Sequence, residues 1–296
     1  MSIAETQNPL DTAQGAKPRA VALLRFVIFI VMAVVLGAGL VFAARKFFGP
    51  INIDQAAGLQ VLILGEFALA VATVIIPGAI MAWITREPAA RFGFGRSGRF
   101  WQLMFGILTG LGAMSALIGL MAAFGGVTSW TFASPGAAVL NGLGYAVLFA
   151  IVAVSEEGLL RGYALVQLSR AISFWPAAIV TSVIFVVLHL GHKTESLIGL
   201  AQVGIIGMIL AYSFRRTGVL WFALGCHGAW DFAETYIYGV PDSGMTSPGA
   251  MSTITLHGPA WLTGGVTGPE ASWLVFPALA GMAAVVYFFL PRGAEE

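Results

Sequence analysis

The sequence predicts an all-α fold, a polytopic membrane helix bundle of about eight transmembrane helices. Three observations predict it. The 296 residues are 58% hydrophobic and only 10% charged, with mean hydropathy +0.87, whereas a soluble domain carries roughly 25% charged residues. The apolar residues fall into long runs, and a membrane-crossing helix needs ~20 of them in succession. Arginine and lysine gather at one set of run ends, the bias expected of cytoplasmic loops. Net charge is +1, so charge offers no reason to expect a nucleic-acid partner. The single cysteine, Cys226, rules out an internal disulfide framework and a cysteine-only metal site.

Taken in order, residues 1–18 read as a polar N-terminal tail. Lys17, Arg19 and Arg25 then lead into an apolar run ending Val41-Phe42-Ala43. That run exceeds the ~7–15-residue core of a secretory signal, so it reads as an uncleaved first span, 21–44. The second span, 58–84, holds the lone carboxylate Glu66, which reads as structural or cavity-facing. The third, 101–124, carries Gly106-x-x-x-Gly110. With Gly199, Gly204 and Gly207 farther on, these small residues read as sites of close helix approach.

The fourth span, 137–168, contains Glu156-Glu157-Gly158-Leu159-Leu160-Arg161. Ser169-Arg170-Ala171-Ile172-Ser173 then breaks the pattern, and Trp175-Pro176 suits a helix start, because proline is tolerated in the first turn. The fifth span, 175–190, ends with Phe185-Val186-Val187-Leu188-His189. A sixth covers 196–214, and a seventh, 218–238, holds His227-Gly228-Ala229-Trp230-Asp231. The stretch 239–271, rich in Gly, Pro, Ser and Thr, reads as an outer loop before the last span, 272–290. His192 and His257 fall in loops and read as solvated. Residues 19–292 thus form a single transmembrane domain, with its polar centre in 137–238.

Eight spans place both termini on one side of the membrane. With the termini cytoplasmic, Lys17, Arg19, Arg86, Arg91, Arg96, Arg99, Arg161, Arg170, Arg215, Arg216 and Arg292 lie on or toward that side. Arg45, Lys46 and Lys193 then fall outside.

The ionisable residues inside the spans carry the functional reading. Each costs at least ~2.5–3.5 kcal/mol at membrane depth, so a group of them marks a site. With a hairpin turn near residue 172, Glu156 lies 16 residues before it and His189 lies 17 after it. Both are then about 25 Å from the turn, at nearly equal depth. His227 and Asp231 lie about 15–20 Å from the start of their own helix, a difference that helix tilt absorbs. Residues four apart share a helix face, so Glu157 should pair with Arg161, and Asp231 can orient His227. Glu156 lies about 100° round the helix from Glu157, outside that pairing and available as a base. Phe185 shares a face with His189 and can wall the site. Cys226 points away from His227, which disfavours a Cys-His nucleophile pair. His189 alone reads equally as a hydrogen bonder between helices, and Glu157–Arg161 alone as a structural pair. Their conjunction favours chemistry.

As a set, these residues resemble the CPBP intramembrane proteases, which include type II CAAX prenyl endopeptidases and abortive-infection and bacteriocin-processing relatives. The family pattern is EExxxR, then FxxxH, then HxxxN or HxxxD, on three catalytic helices. Glu156, Glu157 and Arg161 fill the first motif, Phe185 and His189 the second, His227 and Asp231 the third. Gly258-Pro259-Ala260-Trp261-Leu262-Thr263-Gly264-Gly265 through Gly268-Pro269-Glu270 also resembles loops of bacterial members. The resemblance implies an endopeptidase in a bacterial plasma membrane, acting on peptide or protein substrates that are membrane-anchored or prenylated. It implies Glu156 as general base on a water, His189 as its positioning partner, and His227 with residue 231 as oxyanion stabilisers. No cofactor is required in that scheme. Zinc remains an alternative, with Glu156, His189 and His227 as three ligands and water as the fourth. Asparagine can donate a hydrogen bond where ionised aspartate cannot, so Asp231 must be protonated to donate or must instead orient His227. The competing function class is a proton-coupled transporter or a membrane immunity scaffold, since intramembrane Glu, His and Asp also build proton relays.

Overall fold

The computed structural model describes residues 10, 15–48, 58–96, 98–191, 196–246 and 248–291. Most of the tail, His192, Lys193 and Arg292 lie outside the described residues. Helix α1 spans Ala16–Phe48 and α2 spans Leu59–Thr85; α3 spans Arg99–Ala123. Strand β1, Val127–Phe132, follows. Helix α4 runs through Pro135–Glu157, Gly158–Ala164 and Leu165–Ile172, with a kink at Gly162. Then come α5, Phe174–His189, α6, Leu197–Thr217, and α7, Trp221–Asp231, which continues through Phe232–Ile237. Strand β2, Ser252–Leu256, and α8, Val275–Phe289, complete the order. Among the described residues α1, α2, α3, α4 and α6 are long and apolar enough to cross a membrane; α5 and α8 are shorter apolar helices. The chain is an integral membrane protein built as a helical bundle.

Local chemistry sets the boundaries. Pro135 and Pro176 occupy first-turn positions, where the missing N–H costs nothing. The α4–α5 turn falls on one residue, Ser173, with φ +76°. That is a costly conformation for a residue with a Cβ, held by the helices packed on either side. Ser196 caps α6 by accepting from the Gly199 N–H at 3.1 Å. Gly218 ends it in the left-handed conformation that favours glycine. Helix α1 begins earlier and ends later than the apolar run, so residues 16–18 of the expected tail are helical. Arg45 and Lys46 lie in its last turn, where cations favour the helix dipole.

Three helices contain π-helical turns. In α2 the turn Val71–Ile75 precedes Pro77, whose ring removes one helical hydrogen bond. In α4 the turn Gly158–Ala164 begins directly after Glu157, and Gly162 departs from helical geometry at ψ −115°. In α7 the turn Phe232–Ile237 begins directly after Asp231. Such turns re-aim side chains and recur at functional sites.

The glycines act as the spacing suggested. Helices α3 and α7 form the most extensive contact in the bundle. A Cβ at Gly106 would lie 2.2 Å from the Phe222 carbonyl oxygen, and one at Gly110 would lie 2.2 Å from that of Cys226. Cys226 itself faces α8, with its sulfur 3.7 Å from Met282 Sδ. One buried cluster joins α3, α6, α7 and α8 through Leu117, Leu210, Phe222, Trp230 and Leu279. A second surrounds Tyr163, whose ring packs on Phe29 and Phe92 at 4.9 and 4.6 Å. Near that cluster Glu87 accepts from Arg170 at 2.8 Å and from Arg25 at 3.3 Å, so three charges from three chain segments meet at one end of the bundle.

Two features depart from the sequence reading. Strands β1 and β2 pair antiparallel, Trp130 opposite Ile254, where only connections were expected. The 239–271 connection, expected as a loop, is also not open coil. It contains β2, a helical turn at Ala260–Thr263 and a 3-10 turn at Pro269–Ala271, and it folds back against α6 and α7. His257 lies in it and is exposed, as expected.

Candidate active site

Glu157 and Arg161 are wholly buried one helical turn apart, with Nη1 3.0 Å from Oε1. Burying this pair demands further partners. The Arg161 guanidinium lies 4.4 Å from the centre of the Phe185 ring, a cation–π contact between α4 and α5. Gly207 on α6 makes the room, since a Cβ there would sit 2.5 Å from Arg161 Nη2. The same Glu157 oxygen faces His227 Nδ1 at 2.9 Å. A carboxylate only accepts, so this contact puts a proton on Nδ1. Glu157 therefore orients His227 more closely than Asp231 does, a role that the ion-pair reading of Glu157 missed.

The other nitrogen of His227, Nε2, lies 3.4 Å from Glu156 Oε2 and 3.5 Å from Asp231 Oδ2. Glu156 is thus outside the Arg161 pair, as the helical geometry predicted, but stands against His227. A bare lone pair on Nε2 would face two acceptors. The arrangement suits a proton on Nε2 or on one of the carboxyls. Glu156 keeps a third of its side-chain surface exposed, at 34%, against none for Glu157. The two neighbours therefore divide the work, one locked in the scaffold and one open to a cavity.

His189, at the end of α5, places Nδ1 2.9 Å from the Phe185 carbonyl oxygen. That oxygen can only accept, so Nδ1 carries the hydrogen and the neutral ring has its acceptor at Nε2. Phe185 meets His189 edge to face at 4.6 Å and approaches His227 at 6.2 Å. One ring thus braces Arg161, His189 and His227.

Glu156, His189, His227 and Asp231 all line one cavity of about 320 Å³, and Glu66 lines it as well. Leu62, Leu148, Phe149 and Val152 form an apolar wall. Asp242, Ser243, Met245, Thr246 and Glu270 bring the loop connections to the same cavity. Sequence reasoning had not selected Asp242, Glu270, Gln202 or Trp230. Trp230 Nε1 donates to Glu270 Oε1 at 2.9 Å, Gln202 Nε2 to the same oxygen at 3.3 Å, and Ser243 Oγ to Oε2 at 3.2 Å. Burial pushes the Asp242 carboxyl above its ordinary range; the Thr235 hydroxyl, 3.0 Å away, opposes the rise and the Glu156 charge adds to it.

Zinc would need donors converging on one point. Among the described residues, the three-donor group whose ligand atoms all lie within 4.8 Å of one another is Glu234, Asp242 and Glu270. Glu156, His189 and His227 do not close into such a group, and both nitrogens of His227 already face carboxylates.

The model of one protein family, described as type II CAAX prenyl endopeptidase Rce1-like, matches residues 138–233. No curated protein and no solved structure matches the chain. The matched stretch runs from the start of α4 to just past Asp231 and takes in all seven motif residues. It supports the CPBP intramembrane proteases, at the level of the CAAX-type protease family, as the family of this chain.

Proposed function

We propose that the protein is an intramembrane endopeptidase in which Glu156 activates a water for attack on a peptide bond. The observation that carries the reading is the convergence of Glu156, His189, His227 and Asp231 on one cavity inside the bundle. Glu156 accepts a proton from the water as the water oxygen bonds to the scissile carbonyl carbon. His189 Nε2 accepts from the same water and aims it. The carbonyl π electrons move to oxygen, and His227 Nε2–H donates to that oxyanion, joined by Asp231 when its carboxyl is protonated. Collapse breaks the C–N bond, and Glu156 returns its proton to the departing amine. A positioned base contributes about 10²–10⁴-fold to such reactions, and one oxyanion donor about 10²–10³-fold.

The apolar wall of Leu62, Leu148, Phe149 and Val152 favours substrates that bring hydrocarbon with them. A membrane-anchored peptide fits that wall, and a prenylated CAAX-type tail is one such substrate. The reading extends to a bacterial plasma-membrane location, and the charge asymmetry of the spans supports cytoplasmic termini. The test compares peptides from membranes carrying the wild type with those from Glu156→Gln membranes. The candidates are then assayed with both purified proteins. Substrate peptides should be cut only by the wild type, with the variant folded and at least 10²-fold slower. Undiminished cleavage by folded Glu156→Gln would end this reading.

A further inference from the structure

Glu234, Asp242 and Glu270 come from three separate places, the π turn after α7, the following loop and the 3-10 turn before α8. One carboxylate oxygen from each lies within 4.8 Å of the others. Glu234 is fully buried, and among the described residues neither of its oxygens meets hydrogen-bond geometry with a partner. Gln202 is also buried, and its Oε1 has no hydrogen-bond partner among the described residues, while its Nε2 donates to Glu270. Trp230, Ser243 and Thr235, all neutral, donate to Glu270 and Asp242. Neutral donors orient carboxyl groups without supplying a counter-charge. Among the described residues the three carboxyl groups thus turn oxygens toward one another, with both Glu234 oxygens and Gln202 Oε1 outside any hydrogen bond.

We propose that Glu234, Asp242 and Glu270 bind a hard divalent cation, Ca²⁺ by preference, that clamps the outer loops onto α7. The donor set is all oxygen, which selects Ca²⁺ or Mg²⁺ over zinc. Ca²⁺ takes its ligands at about 2.3–2.6 Å, so two of them on opposite sides are separated by roughly the spread seen here. It also tolerates irregular coordination, as ligands from three loop and helix ends require. Gln202 Oε1 and Ser243 Oγ are neutral oxygens beside the group that can enlarge the shell. The surrounding backbone is already tied together: Gly244 N–H donates to the Thr267 carbonyl at 2.7 Å, and Asp242 and Met245 exchange two backbone hydrogen bonds. A Cβ at Gly268 would lie 2.0 Å from the Pro241 carbonyl oxygen, so the two loops touch at backbone distance. A cation here would fix Asp242, Ser243 and Glu270, which line the same cavity as the candidate catalytic residues.

The inference stands apart from the proteolytic reading, because it is tested by binding. Purified full-length protein in detergent is stripped with chelator, exchanged into chelator-free buffer and titrated with CaCl₂, MgCl₂ or MnCl₂ while thermal unfolding is followed. Ca²⁺ should raise Tm by several degrees, with a saturable dependence. Tb³⁺, a Ca²⁺ substitute, should show tryptophan-sensitised emission that Ca²⁺ displaces and that falls in Trp230→Phe, since that ring sits on Glu270. Glu234→Gln should lose the Tm shift. Asp242→Asn, at the less buried member of the group, should bind at least tenfold more weakly and serves if Glu234→Gln does not fold. Absence of a Tm shift with all three cations in the wild type would overturn the proposal, as would equal shifts in the wild type and Asp242→Asn.

Discussion

His227 Nδ1 and Glu157 Oε1 lie 2.9 Å apart, and that oxygen is also 3.0 Å from Arg161 Nη1. The His227 imidazole is thus held by a carboxylate that is itself held by a guanidinium. The relay from α4 to α7 converts a buried ion pair into a ring orientation. It also explains why a fully buried Arg–Glu pair, costly in itself, is worth retaining here.

Arg161→Ala should damage stability and activity together. Glu157 would keep only His227, and breaking a buried pair costs about 3–5 kcal/mol because it strands the remaining charge. Thermal unfolding in detergent and turnover should both fall. Arg161→Lys should not restore the wild-type values, since ammonium lacks the planar fork and the face-on stacking over Phe185. A normal Tm with normal turnover in Arg161→Ala would contradict the relay.

Phe185→Leu separates bracing from chemistry. The ring contacts Arg161, His189 and His227, while the His189 hydrogen bond goes to the Phe185 backbone and survives the change. Loss of the cation–π and aromatic contacts should cost about 1–3 kcal/mol of stability. Turnover should drop while the form of the pH profile is kept, because every titrating group remains. A shifted profile would mean that Phe185 does more than brace.

Much of this site was legible in the sequence, for a physical reason. Glu157–Arg161 and His227–Asp231 are four apart, and helical geometry alone puts each pair on one face. The hairpin at Ser173 then fixed the relative depth of Glu156 and His189. The Glu157–His227 contact was not legible, because it depends on how α4 and α7 rotate against each other, which spacing within a helix does not encode. Nor were Asp242 and Glu270, since they reach the cavity through a loop whose composition suggested only coil. The strands were missed similarly. Val127-Thr128-Ser129-Trp130 has the β-branched and aromatic residues of a strand, but a lone six-residue segment becomes one only by finding Ser252–Leu256 more than a hundred residues away.

Gly207→Ala tests how tightly Arg161 is housed. The new methyl would come within 2.5 Å of Nη2 and 3.0 Å of Ser182 Oγ. Overpacking of this kind costs about 1–3 kcal/mol, and the side chain most easily displaced is Arg161. Tm should fall and turnover should fall with it. Gly204→Ala, whose Cβ would meet Val186 Cγ2 at 3.3 Å, should be much milder. Equal effects at the two positions would place the damage in general helix packing and not at Arg161.

Asp231 offers the sharpest test of the oxyanion arrangement. Its Oδ2 lies 3.5 Å from His227 Nε2, the atom that also faces Glu156. As an oxyanion donor, Asp231 must carry a proton, and an amide in its place donates without one. Asp231→Asn should then remain active and hold its activity to higher pH than the wild type, where deprotonation of the aspartate removes the donor. As an orienting carboxylate for His227, Asp231 would instead be weakened by the same substitution at every pH, and Asp231→Ala would be weaker still. Glu157 already orients the ring through Nδ1 at a shorter distance, so an orienting role for Asp231 is partly redundant and the donor role is favoured. The pH profile of turnover for wild type, Asp231→Asn and Asp231→Ala decides between the two. An asparagine variant that is folded but inactive from acid to alkaline pH would eliminate the donor role.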